Sequence, residues 1–191
     1  MMLTDLRASL TEVAATGLAV VPGAVEVPPG LVAEFATLRY QEPPPNAHPV
    51  TTRSELAVLN EWSGYPALSG VRASLVAAVN RSVAGWLPDQ IFVRRYRGGS
   101  EGMSPHRDGT RFRLLIATIS VLGSARFFRH NEKGEVTQEW PLVPGDLVLL
   151  RGTGLHGVED GRPHHSVGGP AGELRCSVAF RMTVTEGAFT R

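Results

Sequence analysis

Cysteine and lysine are almost absent from this sequence. Of its 191 residues, one is a cysteine, Cys176, and one is a lysine, Lys133. A single cysteine excludes an intrachain disulfide and a zinc site built from several thiolates, and it favours a reducing compartment. The formal net charge is only +1, so we expect no general attraction to nucleic acid or to an anionic membrane.

Long apolar runs are missing as well. No stretch approaches the roughly 18 uninterrupted apolar residues that a membrane span needs. Asp5 and Arg7 interrupt the N-terminal segment, where a secretory leader would require a continuous apolar run. We therefore expect a cytoplasmic protein with no membrane partner. The sequence makes no prediction about its oligomeric state.

The apolar residues that are present follow two different periods. Up to residue 88 the spacing is mostly helical, and it predicts a strand at 17–21, helices at 4–15, 29–39, 54–62 and 67–87, and a proline-rich loop at 42–46. Thr4 is the expected N-cap of the first helix. From residue 90 the period changes to two, which predicts strands at 91–96, 113–121, 125–130, 136–142, 146–150 and 175–183.

This order of elements predicts a mainly β fold. Helices followed by many short strands, without an internal repeat, favour a double-stranded β-helix (jelly roll) with the N-terminal helices packed on its outside. The length is that of one domain, 1–191. Within it, we expect residues 1–88 to supply helical support and rim segments, and 89–184 to form the catalytic core.

The last predicted strand has two chemically different faces. At a period of two, one face is apolar, and the other carries Arg175, Ser177, Ala179 and Arg181. Burial inside a barrel would leave Arg175 in need of a partner, because a guanidinium keeps its proton. A dicarboxylate that chelates a metal at one end could bind Arg175 at the other, with a further hydrogen bond from Ser177. The alternative partner is an internal acidic residue. We expect Arg181 to approach Asp108 or the metal end of this dicarboxylate.

Candidate metal ligands lie upstream of this strand. On an extended segment, His106 and Asp108 point the same way and could reach one ion. Two histidines and one carboxylate are the ligand set of non-haem Fe(II) oxygenases. His165 is favoured as the third ligand because it precedes Arg175 by ten residues. His156 is the alternative, and His164 is a weaker candidate.

Together these residues resemble a known family. His106-x-Asp108, His165 and Arg175-x-Ser177 are similar to the signature of Fe(II)/2-oxoglutarate-dependent dioxygenases. Within that superfamily, Tyr96 before His106 and the spacing from Arg175 to Arg181 resemble the AlkB-like branch. The resemblance covers residues 90–183. It implies an enzyme with Fe(II), 2-oxoglutarate and O2 as cofactor and cosubstrates, in which Tyr96 also contacts 2-oxoglutarate, and it implies release of succinate and CO2 as a C–H bond is oxidised.

Two departures from the AlkB-like pattern affect the expected substrate. This chain has Arg94 and Ser177 where that branch typically has asparagine. We therefore favour hydroxylation or oxidative demethylation of a small molecule over demethylation of alkylated nucleic-acid bases, which is the second hypothesis. A non-catalytic metal-binding jelly roll is the third. Arg94 could bind a carboxylate on the substrate, or it could lie in solvent beside Arg95 and Arg97.

Overall fold

The structure, a computed structural model, describes residues 3–42 and 54–183. Of the proline-rich loop predicted at 42–46, all but its first residue lies outside the described ranges. Within them, no helix has the length and apolar character that crossing a bilayer requires.

Six antiparallel strands form the larger sheet. In spatial order they are β1 (Leu18–Val21), β8 (Leu147–Arg151), β5 (Phe112–Leu122), β10 (Leu174–Thr183), β3 (Gln90–Arg97) and β2 (Ser54–Leu59). The smaller sheet has the order β4 (Gly102–His106), β9 (His164–Gly168), β6 (Ala125–His130) and β7 (Val136–Leu142). An apolar layer between the two sheets includes Phe92, Phe127 and Val148. The predicted jelly roll is confirmed.

Three helices cover the outer face of the larger sheet. They are α1 (Arg7–Thr16), α2 (Pro29–Thr37) and α3 (Pro66–Val79). Their buried residues share a cluster with Val178 and Phe180, which lie on the apolar face of β10. The alternation predicted for β10 is therefore observed, because its other face lines the space between the sheets.

Polar contacts hold the helices in place. The Glu34 carboxylate of α2 accepts hydrogen bonds from the backbone N–H groups of Ala67 and Leu68, at 2.7 and 2.9 Å. These donors belong to the first turn of α3, which has no side-chain cap of its own. The Trp86 indole donates to the carbonyl oxygen of Leu115 at 2.7 Å and is fully buried. The Glu34 bonds therefore tie α2 to α3, and the Trp86 bond ties the segment after α3 to β5.

The helix predicted at 54–62 is wrong. Residues Ser54–Leu59 form β2, which pairs along its whole length with β3. Glu, Leu and Ala are good helix formers, but intrinsic helix propensity amounts to less than about 1 kcal/mol per residue, and tertiary contacts can override it. The open edge of β3 offers a full ladder of backbone hydrogen bonds, and this tertiary pairing outweighs the local preference.

Two helix boundaries differ from prediction by three residues or more. The last helix ends at Val79 rather than 87, because the Asn80 side chain bonds the backbone of Val76 and Trp86 and turns the chain. The first helix begins at Arg7, so Thr4 is not its N-cap. The backbone N–H of Thr4 instead donates to the carbonyl oxygen of Ala24, which holds this segment in an extended form.

Strands β4 and β9 were not predicted. They pair with each other, and Gly102 at the start of β4 allows their close approach. Gly102 has a φ of +87°, and a Cβ at this position would lie 2.2 Å from the carbonyl oxygen of Val167. Only glycine fits there.

Candidate active site

Three of the predicted ligands converge in the cleft between the sheets. His106 ends β4 and His165 lies directly opposite it on β9, while Asp108 follows β4 by two residues. One ligand atom from each residue lies within 4.8 Å of the others. In the parts of the chain that the structure describes, this is the one group of three or more such side chains with metal-binding geometry.

Both histidines are oriented by backbone carbonyl oxygens. His106 Nδ1 lies 2.9 Å from the oxygen of Ser104, and His165 Nδ1 lies 3.1 Å from that of Pro163. A carbonyl oxygen can only accept, so each Nδ1 carries the proton. Each Nε2 therefore keeps its lone pair, as a metal ligand requires.

The electrostatics of the site favour the metal-binding protonation states. Burial lowers the pKa of His106 and lowers the pKa of His165 to about 4, although the Asp108 carboxylate opposes both shifts. Burial alone would raise the pKa of Asp108, but Arg181 and the two histidines outweigh it and hold that pKa below its usual value. At neutral pH the group thus offers two neutral imidazoles and one carboxylate.

The other two histidine candidates lie elsewhere. His156 is exposed in a short 3-10 turn, Leu155–Gly157, where its φ is +51°. His164 points away from the cleft, and its Nδ1 lies 3.4 Å from the carbonyl oxygen of Asn131. Neither lines the cleft.

Arg175 lies at one end of the cleft, where β10 pairs with β3. It is 2% exposed, and its Nε and Nη1 have no hydrogen-bond partner among the described residues. Its register partner Tyr96 is also buried, and the guanidinium carbon lies 5.2 Å from the Tyr96 ring centroid. Ser177 lines the same wall and is 5% exposed. Burial lowers the pKa of Arg175, while Tyr96 opposes that shift through charge and a hydrogen bond.

Arg181 lies at the other end of the same strand face. Its Nη2 is 3.0 Å from Asp108 Oδ1. The guanidinium also contacts the faces of Phe92 and Phe112, with its central carbon 4.3 and 4.5 Å from the ring centroids. The sequence expectation that Arg181 approaches Asp108 agrees with this geometry.

Arg94 faces the cleft rather than bulk solvent. It donates from Nη1 to the hydroxyl oxygen of Ser54 at 3.0 Å. Its neighbours Arg95 and Arg97 point to the opposite face, where both bind the Glu55 carboxylate at 2.6 and 2.9 Å.

The rest of the cleft is mostly apolar. The whole cleft has a volume of about 580 Å³, including the solvent-filled space at its mouth. Sequence reasoning missed the lining residues Met103, Thr118, Phe127, Leu142, Val148, Leu150 and Val167. Thr118 could have been found, because it shares one parity of β5 with the apolar residues Phe112 and Ile116 and with only one other polar residue, Ser120.

The sequence profile of the 2OG-Fe(II) oxygenase superfamily matches residues 38–181. This chain belongs to that superfamily. It is a non-haem iron 2-oxoglutarate dioxygenase, and the family implies Fe(II), 2-oxoglutarate and O2. No curated protein is detectably similar in sequence.

Solved structures show the same fold at low identity. A prolyl hydroxylase from Trichoplax adhaerens, in complex with a hypoxia inducible factor peptide fragment, has a TM-score of 0.66 at 12% identity, over 95% of this chain and 90% of that one. A Pseudomonas putida prolyl-4-hydroxylase has a TM-score of 0.63 at 18% identity, over 95% and 100%. OsALKBH1 has a TM-score of 0.57 at 11% identity, over 87% and 98%.

The residues of this cleft fit the groups that the family implies. The donor set is that of a facial triad for Fe(II). A buried guanidinium with two orphaned nitrogen atoms is costly without an anionic partner, and a keto diacid has a carboxylate to offer it.

Proposed function

We propose that His106, Asp108 and His165 hold Fe(II), and that Arg175 binds the far carboxylate of 2-oxoglutarate. The enzyme then hydroxylates a C–H bond of a small molecule or oxidatively removes a methyl group from it, and it releases succinate and CO2. Iron and 2-oxoglutarate together supply the activation of O2.

The buried, unpaired guanidinium of Arg175 carries this proposal. Within the described chain, no acidic side chain pairs with it, so an internal salt bridge does not account for its burial. A carboxylate could accept from Nε and Nη1 together, which is the bidentate geometry that a guanidinium prefers.

Neighbouring side chains have distinct tasks in this proposal. Tyr96 and Ser177 flank Arg175 and can donate hydroxyl hydrogen bonds to the same carboxylate. Arg181 keeps Asp108 ionised and oriented toward the metal. The apolar lining keeps bulk water away from the reacting C–H bond.

The test is anaerobic titration of Fe(II) and then of 2-oxoglutarate, followed by the visible charge-transfer absorption of the chelate. Wild-type protein should develop this band, and should form succinate once O2 is admitted. His165→Ala should lose both signals. His156→Ala is the matched control, because it removes an exposed imidazole outside the cleft, and it should retain both.

Three results would contradict the assignment. Loss of the band in His156→Ala but not in His165→Ala would assign His156, instead of His165, as the third ligand. A band without succinate would favour the non-catalytic alternative. Absence of the band in wild-type protein would remove the proposal as a whole.

A second candidate, an AlkB-like demethylase of nucleic-acid bases, also has a supporting observation. Arg175 and Arg181 share one strand face with the spacing of that branch, and Arg181 contacts Asp108. Its test is binding of a single-stranded oligonucleotide at several salt concentrations. An affinity that falls steeply with salt would favour this candidate over a small molecule.

A further inference from the structure

The cleft carries more positive charge than its proposed cofactors can neutralise. Its charged lining residues are Arg94, Arg175, Arg181 and Asp108 among the described residues, so the wall has a net charge of +2. Fe(II) would add two positive charges, and the dianion of 2-oxoglutarate would remove two. Two positive charges therefore remain after both have bound.

Arg94 contributes one of these charges. Unlike the other two arginines, it has no anionic partner among the described residues or the proposed cofactors. Arg175 has the far carboxylate of 2-oxoglutarate as its proposed partner, and Arg181 has Asp108 at 3.0 Å. Among the described residues, Arg94 donates a hydrogen bond to the neutral hydroxyl of Ser54. Neutralisation by an anion is thus still available to Arg94.

The protein does neutralise arginines on the other face of the same strand. Glu55 of β2 binds both Arg95 and Arg97. One position earlier on β2, where a carboxylate could serve Arg94, the chain has Ser54, which is 1% exposed.

We propose that the substrate carries an anionic group, a carboxylate or a phosphate, that binds Arg94 and the Ser54 hydroxyl. This rests on the proposed function and names the substrate class for it. A guanidinium donates two parallel hydrogen bonds to either anion, and Ser54 lies within reach to add a third. The apolar lining, including Phe92 and Met103, suits the body of such a molecule. The substrate is thus an apolar small molecule with one anionic end.

The experiment compares charged and neutral forms of the same small molecules by isothermal titration calorimetry. The protein is loaded with Mn(II) and N-oxalylglycine, which blocks turnover. The probes are phenylacetate against phenylacetamide, indole-3-acetate against indole-3-acetamide, and phenyl phosphate. We expect at least one acid to bind roughly ten- to hundredfold more tightly than its amide, or phenyl phosphate to exceed phenylacetamide by the same factor. The relative binding affinities of the carboxylates and the phosphate then identify the preferred anion.

Two variants locate the effect. Arg94→Gln should abolish the preference for the anion while the Kd for 2-oxoglutarate stays within about threefold of wild type. Arg97→Gln is the matched control on the same strand, because the Arg97 side chain faces outward and is 67% exposed. It should retain the preference.

Several outcomes would overturn the proposal. They are equal affinity for acids and amides, absence of binding by every anionic probe, or weakening of 2-oxoglutarate binding in Arg94→Gln, which would assign Arg94 to the cosubstrate. Salt-dependent binding of an oligonucleotide, weakened alike by both variants, would instead favour nucleic acid. The charge-transfer band tests the proposed function separately, so a normal band with any of these results rejects the anionic substrate alone.

Discussion

Replacement of Arg175 with methionine should affect ligand binding and stability in opposite directions. In the proposed complex the guanidinium makes two charge-assisted hydrogen bonds, each worth about 1.5–3 kcal/mol. Their loss should weaken 2-oxoglutarate binding by about 3–6 kcal/mol, or roughly 10²- to 10⁴-fold. The assay is anaerobic titration of the Fe(II) protein with 2-oxoglutarate.

Without 2-oxoglutarate the same substitution should not destabilise the protein. Arg175 is 2% exposed and leaves two nitrogen atoms unpaired, so it costs desolvation without full compensation. Exchange of buried ionic groups for apolar ones of similar volume often stabilises proteins by about 1–4 kcal/mol. Loss of the hydrogen bond with Tyr96 offsets about 1 kcal/mol of this gain. We expect a melting temperature at least equal to that of wild type.

Arg72→Met is the control for this experiment. The Arg72 guanidinium is satisfied, because Nε and Nη2 both donate to the carbonyl oxygen of Pro88, at 2.8 and 2.6 Å. Its removal should lower stability by about 1–2 kcal/mol and leave 2-oxoglutarate affinity unchanged. If Arg175→Met behaves like Arg72→Met, Arg175 is a structural residue and the anchoring argument is refuted.

Predictions at three further residues, Gly102, Glu34 and Cys176, concern the scaffold. Gly102→Ala places a methyl group 2.2 Å from a carbonyl oxygen of β9 and should weaken Fe(II) binding measured by titration, whereas Gly134→Ala, at φ +82° with open space around it, should leave it intact. Glu34→Gln should lower the free energy of unfolding in urea by about 1 kcal/mol, since a neutral amide caps α3 less well than a carboxylate, and an unchanged midpoint would argue against the cap. Burial raises the pKa of Cys176 from 9.0 to about 11, so near neutral pH its alkylation should be roughly a hundredfold slower than that of a free thiol. Between these two pKa values the folded state binds more protons, so Cys176 should make stability fall as pH rises from about 9 to about 11, and the decrease should shrink in Cys176→Ala.

The last strand could be predicted almost completely from the sequence. Its alternation places Arg175 and Arg181 on the face that lines the cleft, and Phe180 against the helices. A period of two determines the side of a strand directly, and an apolar run opposite two arginines leaves one orientation that buries the apolar side.

The strands that bring the candidate ligands together could not be predicted. Strands β4 and β9 are five residues each, and β4 includes a proline and an irregularity in register. Neither has a periodic pattern of its own, so their extended form depends on their pairing. In the sequence, only the spacing from Arg175 favours His165 over His156, because the cross-strand contact of His165 with His106 is a tertiary feature.

The error at β2 explains why Arg94 stayed ambiguous in the sequence. Three arginines within four residues, Arg94, Arg95 and Arg97, read as a charge cluster that could lie wholly in solvent. With a helix at 54–62, Glu55 had no defined relation to them. As a strand paired with β3, Glu55 lies opposite Arg95 and neutralises both outward-facing arginines. Of these three arginines, parity then leaves only Arg94 on the inner face of β3. The edge strand β2 thus neutralises the two outward-facing arginines and leaves Arg94 available to a ligand.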